Sequence, residues 1–210
     1  EAVLLGWRYG TDEPGNDVMW FWSENHALCF HTAQYLAGRL WPEAVFTNSG
    51  RSGAEQAEIG RARLEAWLAD IEAHGFIEWN SPAYYPIDAI GLLALYELAQ
   101  DAPIREAAKR CLDRIFTMTA LSTLNGIPSS TQGRSYARDL KFPGLTETAA
   151  ITWTEWGRGA LNPMAYALSL LCLGSYAPPE EATRLALWDR VSGIEARYTQ
   201  GCNHAARLVA

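Results

Sequence analysis

The sequence predicts an all-α fold of helical hairpins stacked around an axis, and three observations carry that prediction. No stretch alternates apolar and polar residues convincingly enough to read as a strand. Helical periodicity recurs along most of the chain instead. Helix character also alternates, because nearly uncharged segments, apolar around most of their circumference, are each followed by a segment with one charged face. Helices of the first kind belong inside and those of the second outside, which is the two-layer order of stacked hairpins.

Each element can be justified in turn. Residues 1–19 carry turn formers at Gly10, Asp12, Pro14, Gly15 and Asn16 and read as an irregular lead-in. From Ser23 to Leu40 the pattern is helical and almost uncharged, with Leu28, Phe30, Tyr35 and Leu36 among its apolar positions, and Trp41-Pro42 ends it. The next helix, Ala54 to Ala73, mixes Glu55, Arg61 and Glu65 with Leu64, Trp67 and Leu68, so one face is wet. A loop from Phe76 to Pro86 leads to a buried helix, Ile87 to Ala99, then a short turn at Gln100-Asp101-Ala102-Pro103 and a charged helix, Ile104 to Leu121. Residues 122–145 read as one long irregular stretch, and an irregular stretch of this length inside a compact domain is usually functional or disordered. Thr146 to Trp156 reads as a short helix, Pro163 to Leu173 as a third buried one, and Glu180 to Val191 as its charged partner. Residues 1–210 are read as a single domain or part of one.

Composition narrows the classes of function. A net charge of -7, with Lys and Arg scattered and not gathered into a stripe, excludes nonspecific nucleic-acid binding as a leading expectation. No stretch reaches the roughly 18 apolar residues of a membrane span. Cys29, Cys111 and Cys172 fall in apolar helical runs and read as small buried hydrophobes, while Cys202 lies near the chain end. No CxxC spacing occurs, and His26 and His31 do not share a helix face, with His74 and His204 elsewhere, so neither a metal site nor a cofactor is expected. The compartment stays open. The N-terminus carries no basic region followed by an apolar core, and a secreted or periplasmic site fits as well as any.

The chemistry-bearing residues gather at predicted helix starts. Trp20-Phe21-Trp22-Ser23-Glu24-Asn25-His26 runs into the first buried helix; Ser23 suits an N-cap and Glu24 the positive end of the dipole, but capping asks for neither Asn25 nor His26. If successive hairpins point the same way, the same end also gathers Glu78, Trp79, Tyr84, Tyr85 and Asp88 of the next long connection, and Gln132, Arg134 and Tyr136 of the one after. Nine Trp and nine Tyr are a heavy aromatic load, and rings in polar loops stack on sugars or bases.

In this alternation the chain resembles the six-hairpin (α/α) toroid superfamily of carbohydrate-active enzymes, which includes glycoside hydrolases and polysaccharide lyases. The same alternation is also met in terpenoid cyclases. Asn25-His26 looks like the Asn-His pair at an inner-helix start in the toroid uronate lyases. Those lyases also use a Tyr and an Arg, for which Tyr84 or Tyr85, Tyr136 and Arg134 are available. A complete toroid of this kind needs about twelve helices. Seven are read here, so an incomplete ring, part of a longer enzyme, is expected.

The resemblance implies a polysaccharide or oligosaccharide substrate and two chemistries. In β-elimination the uronate carboxylate must be neutralised, which suits Asn25 and Arg134, while His26 or a Tyr takes the proton and a second Tyr protonates the leaving oxygen. An inverting hydrolase needs two carboxyl groups about 6.5 to 9.5 Å apart, with Glu24, Glu78 and Asp88 as candidates. The lyase is slightly preferred. The expected catalytic set is thus Asn25, His26, Tyr85, Arg134, Tyr136, Glu24 and Glu78, with Trp20, Trp22, Trp79, Tyr84, Asp88, Gln132 and Trp153 on the substrate. A noncatalytic module that grips sugars by ring stacking is the alternative of a different class.

Overall fold

The computed structural model describes residues 1–163, 165–188 and 195–196. Among them the fold is predominantly α-helical: α1 (Ala2–Gly6), α2 (Glu24–Leu40), α3 (Gly53–His74), α4 (Tyr84–Leu98), α5 (Ala102–Ser122), α6 (Ala137–Lys141), α7 (Glu147–Trp156), α8 (Leu168–Leu173) and α9 (Glu180–Leu187). The expected continuation of the last helix to Val191, Cys202 and His204 lie outside the described residues.

Helices α2 and α3 pack as one hairpin and α4 and α5 as the next, with α2 against α4 and α3 against α5. This arrangement puts the nearly uncharged helices in one layer and the charged ones in the other. The third pair follows, since α8 touches α4 and α9 touches α5. One core runs through both layers, with Leu28, Leu64, Leu92, Leu112 and Phe116 fully or almost fully buried. The first hairpin closes tightly because two glycines sit at the crossing: a Cβ on Gly60 would lie 2.7 Å from the Tyr35 backbone nitrogen, and one on Gly38 would lie 2.5 Å from the Ala57 nitrogen. Ser52 starts α3 with a reciprocal capping box to Glu55.

Four expectations need correcting. The lead-in is ordered: it holds the short α1, and the buried Glu13 carboxylate accepts from the Tyr9 N–H at 2.8 Å and the Gln56 amide at 2.7 Å. Helix α4 begins at Tyr84, because Pro86 fits within a first turn that needs no N–H from it. The 122–145 stretch is not irregular throughout, since it contains a two-residue β-hairpin, β1 (Thr123–Leu124) with β2 (Ile127–Pro128), then α6 and a single 3-10 turn at Pro143–Leu145. Finally, α8 is short and one-sided. Only Leu171 within it is buried, and Leu173 and Cys172 are exposed. Apolar composition had pointed to a helix buried all round, but six residues are too few to be enclosed by neighbours on every side.

The ends of the layers define the site. Glu24, first residue of α2, accepts a hydrogen bond from the Ile77 N–H at 2.8 Å, so α2 begins beside the loop that leads into α4. At the opposite end the Tyr35 hydroxyl donates to Asp101 and Arg39 donates to Gln100. Helices α2 and α4 therefore run the same way and start together.

Candidate functional site

Three connections meet where α2 and α4 begin. The loop before α4 and the loop before α6 are stitched to each other: the Gly133 N–H donates to the Trp79 carbonyl at 2.6 Å, the Ser81 hydroxyl to the Arg134 carbonyl at 2.7 Å, and the Asn80 amide to Ser130 at 3.3 Å. Helix α7 backs them, with Thr148 donating to the Pro82 carbonyl at 3.0 Å. The Trp67 indole N–H of α3 donates to the Glu24 carbonyl at 3.1 Å, which holds the third segment in register.

Arg134 sits at the junction. Its guanidinium donates to Glu78 Oε1 at 3.2 Å and lies 4.8 Å from the centre of the Tyr84 ring, while its side chain stays 53% exposed. The Tyr84 and Tyr136 hydroxyls are 2.6 Å apart, so one donates to the other beside the cation. That bond and partial burial together push the Tyr84 hydroxyl above its ordinary range. Such a pair keeps a proton between two oxygens within reach of solvent.

His26 completes this polar face. Its Nδ1 lies 2.6 Å from the Ser23 hydroxyl, which is also 3.2 Å from Asn25 Oδ1 and oriented to donate to it. With the serine proton directed at Asn25, Nδ1–H would donate to Ser23 and leave the free lone pair on Nε2. Partial burial, helped by the Arg134 charge, holds the imidazole below its ordinary pKa, so it is neutral at pH 7 and able to accept a proton. Ser23, which the sequence suited to capping, is the partner of His26 instead. It makes no side-chain cap bond, and its three-residue spacing from His26 on one helix face was the available signal.

Behind the polar face lies a buried group of carboxyls. Glu24 is raised to about 7, mostly by burial, then by the charge of Glu78, against the opposing backbone N–H bonds of Ile77 and Glu78. Burial also raises Glu78, and Arg134 opposes it. Asp88 is fully buried, and neither of its oxygens has a hydrogen-bond partner; burial and then the charges of Glu24 and Glu78 push it well above the usual carboxylate range. One oxygen each of Glu24 and Glu78 is likewise buried without a partner. Three carboxyls this close cannot all be charged.

Not every expected residue reaches this face. Tyr85 is 3% exposed in the core, with its hydroxyl against Met118 Sδ, and Asp88 shares that inward side; because α4 starts at Tyr84, positions 85 and 88 stack three residues apart on the core face. Neither can touch a ligand in this arrangement. Asn25 is buried, and its contact to the site runs through Ser23. Trp20 and Trp22 stand 58% and 66% exposed with ring centres 5.3 Å apart, just ahead of Ser23, on a turn where Met19 and Trp20 take positive φ. Trp79 is half-buried against the core, Gln132 has a buried carbonyl oxygen without a partner, and Trp153 stands exposed on α7.

Comparison with protein-family models, curated proteins and solved structures finds no match for the chain. Among the described residues no group of three or more His, Cys, Asp or Glu is arranged to hold a metal ion. What the site offers is a neutral imidazole, an exposed guanidinium, a hydroxyl pair and a reserve of buried carboxyls, flanked by two exposed indoles.

Proposed function

We propose that the chain is an arc of an (α/α) toroid and part of a carbohydrate-active enzyme that cleaves uronate-containing polysaccharides by β-elimination. The observation that supports the reading is that Arg134 lies over the Tyr84 ring beside the Tyr84–Tyr136 hydroxyl pair while its charge also bears on His26, so that groups from three separate segments act on one another. Arg134 would neutralise the uronate carboxylate, with Asn25 setting the hydrogen bonds behind His26. His26 Nε2 would take the proton from the carbon next to that carboxylate. A double bond then forms to the neighbouring ring carbon as its bond to the glycosidic oxygen breaks, and a tyrosine hydroxyl protonates the leaving oxygen. Trp20 and Trp22 would stack on adjoining sugars. The toroid reading is supported by the order of the layers, α2, α4 and α8 in one and α3, α5 and α9 in the other.

The test is incubation of the full-length protein with galacturonate, mannuronate and glucuronate polymers and neutral glycans, read at the ultraviolet band of an unsaturated uronate. Growth of that band on one uronate polymer, lost in His26→Ala with binding retained, is the expected outcome; release of reducing ends from a neutral glycan without the band would overturn it.

An inverting hydrolase is the second reading, favoured by the Glu24 carboxyl, which burial raises to about 7, a value suited to an acid catalyst. Glu78→Gln separates the two, being the most damaging change for a hydrolase and far milder than His26→Ala for a lyase. A module that only grips sugars would bind the same polymers without product.

A further inference from the structure

Arg134 is the exposed cation of the site, yet in the free protein it is already engaged by a carboxylate. Glu78 reaches it with Oε1 at 3.2 Å, while the other Glu78 oxygen points into the protein, buried and without a partner. A carboxylate held by a half-exposed guanidinium, with its second oxygen buried and unpartnered beside other carboxyls, is poorly compensated. The groups whose charge bears on it are Glu24 at the start of α2, Asp88 and Tyr84 on α4, and Arg134 from the loop before α6. Of these, Arg134 alone favours the charged form of Glu78.

We propose that Glu78 is a built-in stand-in for the substrate's carboxylate: it occupies Arg134 in the free protein, and an anionic sugar takes Arg134 from it while Glu78 takes up a proton from solvent. The inference rests on the uronate reading above and deepens it, because it makes the site selective for a ligand that brings its own negative charge. A neutral sugar offers Arg134 nothing in exchange and leaves the Glu78 pair intact. When Arg134 turns to the ligand, Glu78 loses its one favourable charge and faces Glu24 and Asp88 across an apolar interior, so protonation follows. The exchange balances: one carboxylate replaces another on the guanidinium, and one solvent proton neutralises the one displaced. Glu78 thereby sets a threshold that weak anions do not cross.

The experiment is titration calorimetry of the full chain with galacturonate, mannuronate and glucuronate tetrasaccharides and their methyl esters, in two buffers of different ionisation enthalpy, from pH 6 to 8. The expected result is uptake of up to about one proton per oligouronate bound and a Kd that rises with pH, approaching about tenfold per unit where uptake is complete. The esters bind weakly and without uptake. In Glu78→Gln, which keeps the size of the side chain and removes its charge, oligouronates bind about tenfold more tightly or better, with no proton uptake and little pH dependence. In Glu24→Gln the uptake persists, since the proton goes to Glu78. Oligouronate binding without proton uptake, or weaker binding by Glu78→Gln with its uptake unchanged, would overturn this inference alone. Failure of every oligouronate to bind, with the neutral glycans bound or cleaved instead, would remove the uronate reading as well.

Discussion

The hydroxyl of Ser23 lies 2.6 Å from His26 Nδ1 where a capping bond to the backbone would otherwise form. In the proposed mechanism Ser23 would act by fixing which imidazole nitrogen is free. Ser23→Ala should therefore lower kcat on the cleaved uronate by roughly tenfold or more while KM changes little, and Ser23→Thr should restore most of it. Equal loss in both variants, or a change confined to KM, would show that the hydroxyl does not hold the ring. Asn25→Ala should act in the same direction through the same chain of bonds. Individual side chains were only partly legible in the sequence. Tyr84 and Tyr85 are adjacent and chemically alike, but one pairs with Tyr136 near solvent and the other is buried against Met118. Which of the two faces the site depends on where α4 begins, and Pro86 leaves that start open by several residues.

At the level of elements, the first hairpin offers a direct test of why α2 and α3 approach so closely. A methyl on Gly60 would meet the Tyr35 backbone at 2.7 to 2.9 Å, and backbone cannot move aside as a flexible side chain can. Gly60→Ala should destabilise the fold by about 1–3 kcal/mol despite the better helix propensity of alanine, as read by chemical denaturation. A neutral or stabilising result would mean that the helices separate freely. Ser52→Ala, which opens the capping box of α3, should cost about 1 kcal/mol by the same measurement. The long helices α2, α3, α4 and α5 are legible because periodicity accumulates over many residues. By contrast, α8 and the short elements between residues 122 and 145 are set by what they pack against. The start of α6 illustrates this: the Asp139 carboxylate accepts from the Tyr136 N–H, and a tyrosine is not a residue type that signals a helix start.

Across the whole molecule, the gathering of three segments at the starts of α2 and α4 followed from hairpins that point the same way, whereas the depth of Asp88 and the joint burial of Glu24 and Glu78 did not, because burial depends on layers far apart in sequence. That burial has a consequence for stability. Glu24 rises from 4.5 to about 7 on folding, so between those values the native state holds a proton that the unfolded chain has lost, and stability from this group, fully present below pH 4.5, fades as pH rises through 7. Burial acts on His31 in the opposite sense, lowering it from 6.5 to about 4, so its contribution is present above pH 6.5 and fades as pH falls through 4. The two windows overlap between pH 4.5 and 6.5, where the two groups act in opposite senses. Glu24→Gln removes one side of that balance. Relative to wild type, the variant should gain stability steadily from pH 5 to pH 8, by up to about 3 kcal/mol. Urea unfolding of both proteins at half-unit pH intervals reads the difference directly. A gap between the two that does not change with pH would mean that Glu24 is ionised in the native state at pH 5, and the buried carboxyl group would have to be charged throughout.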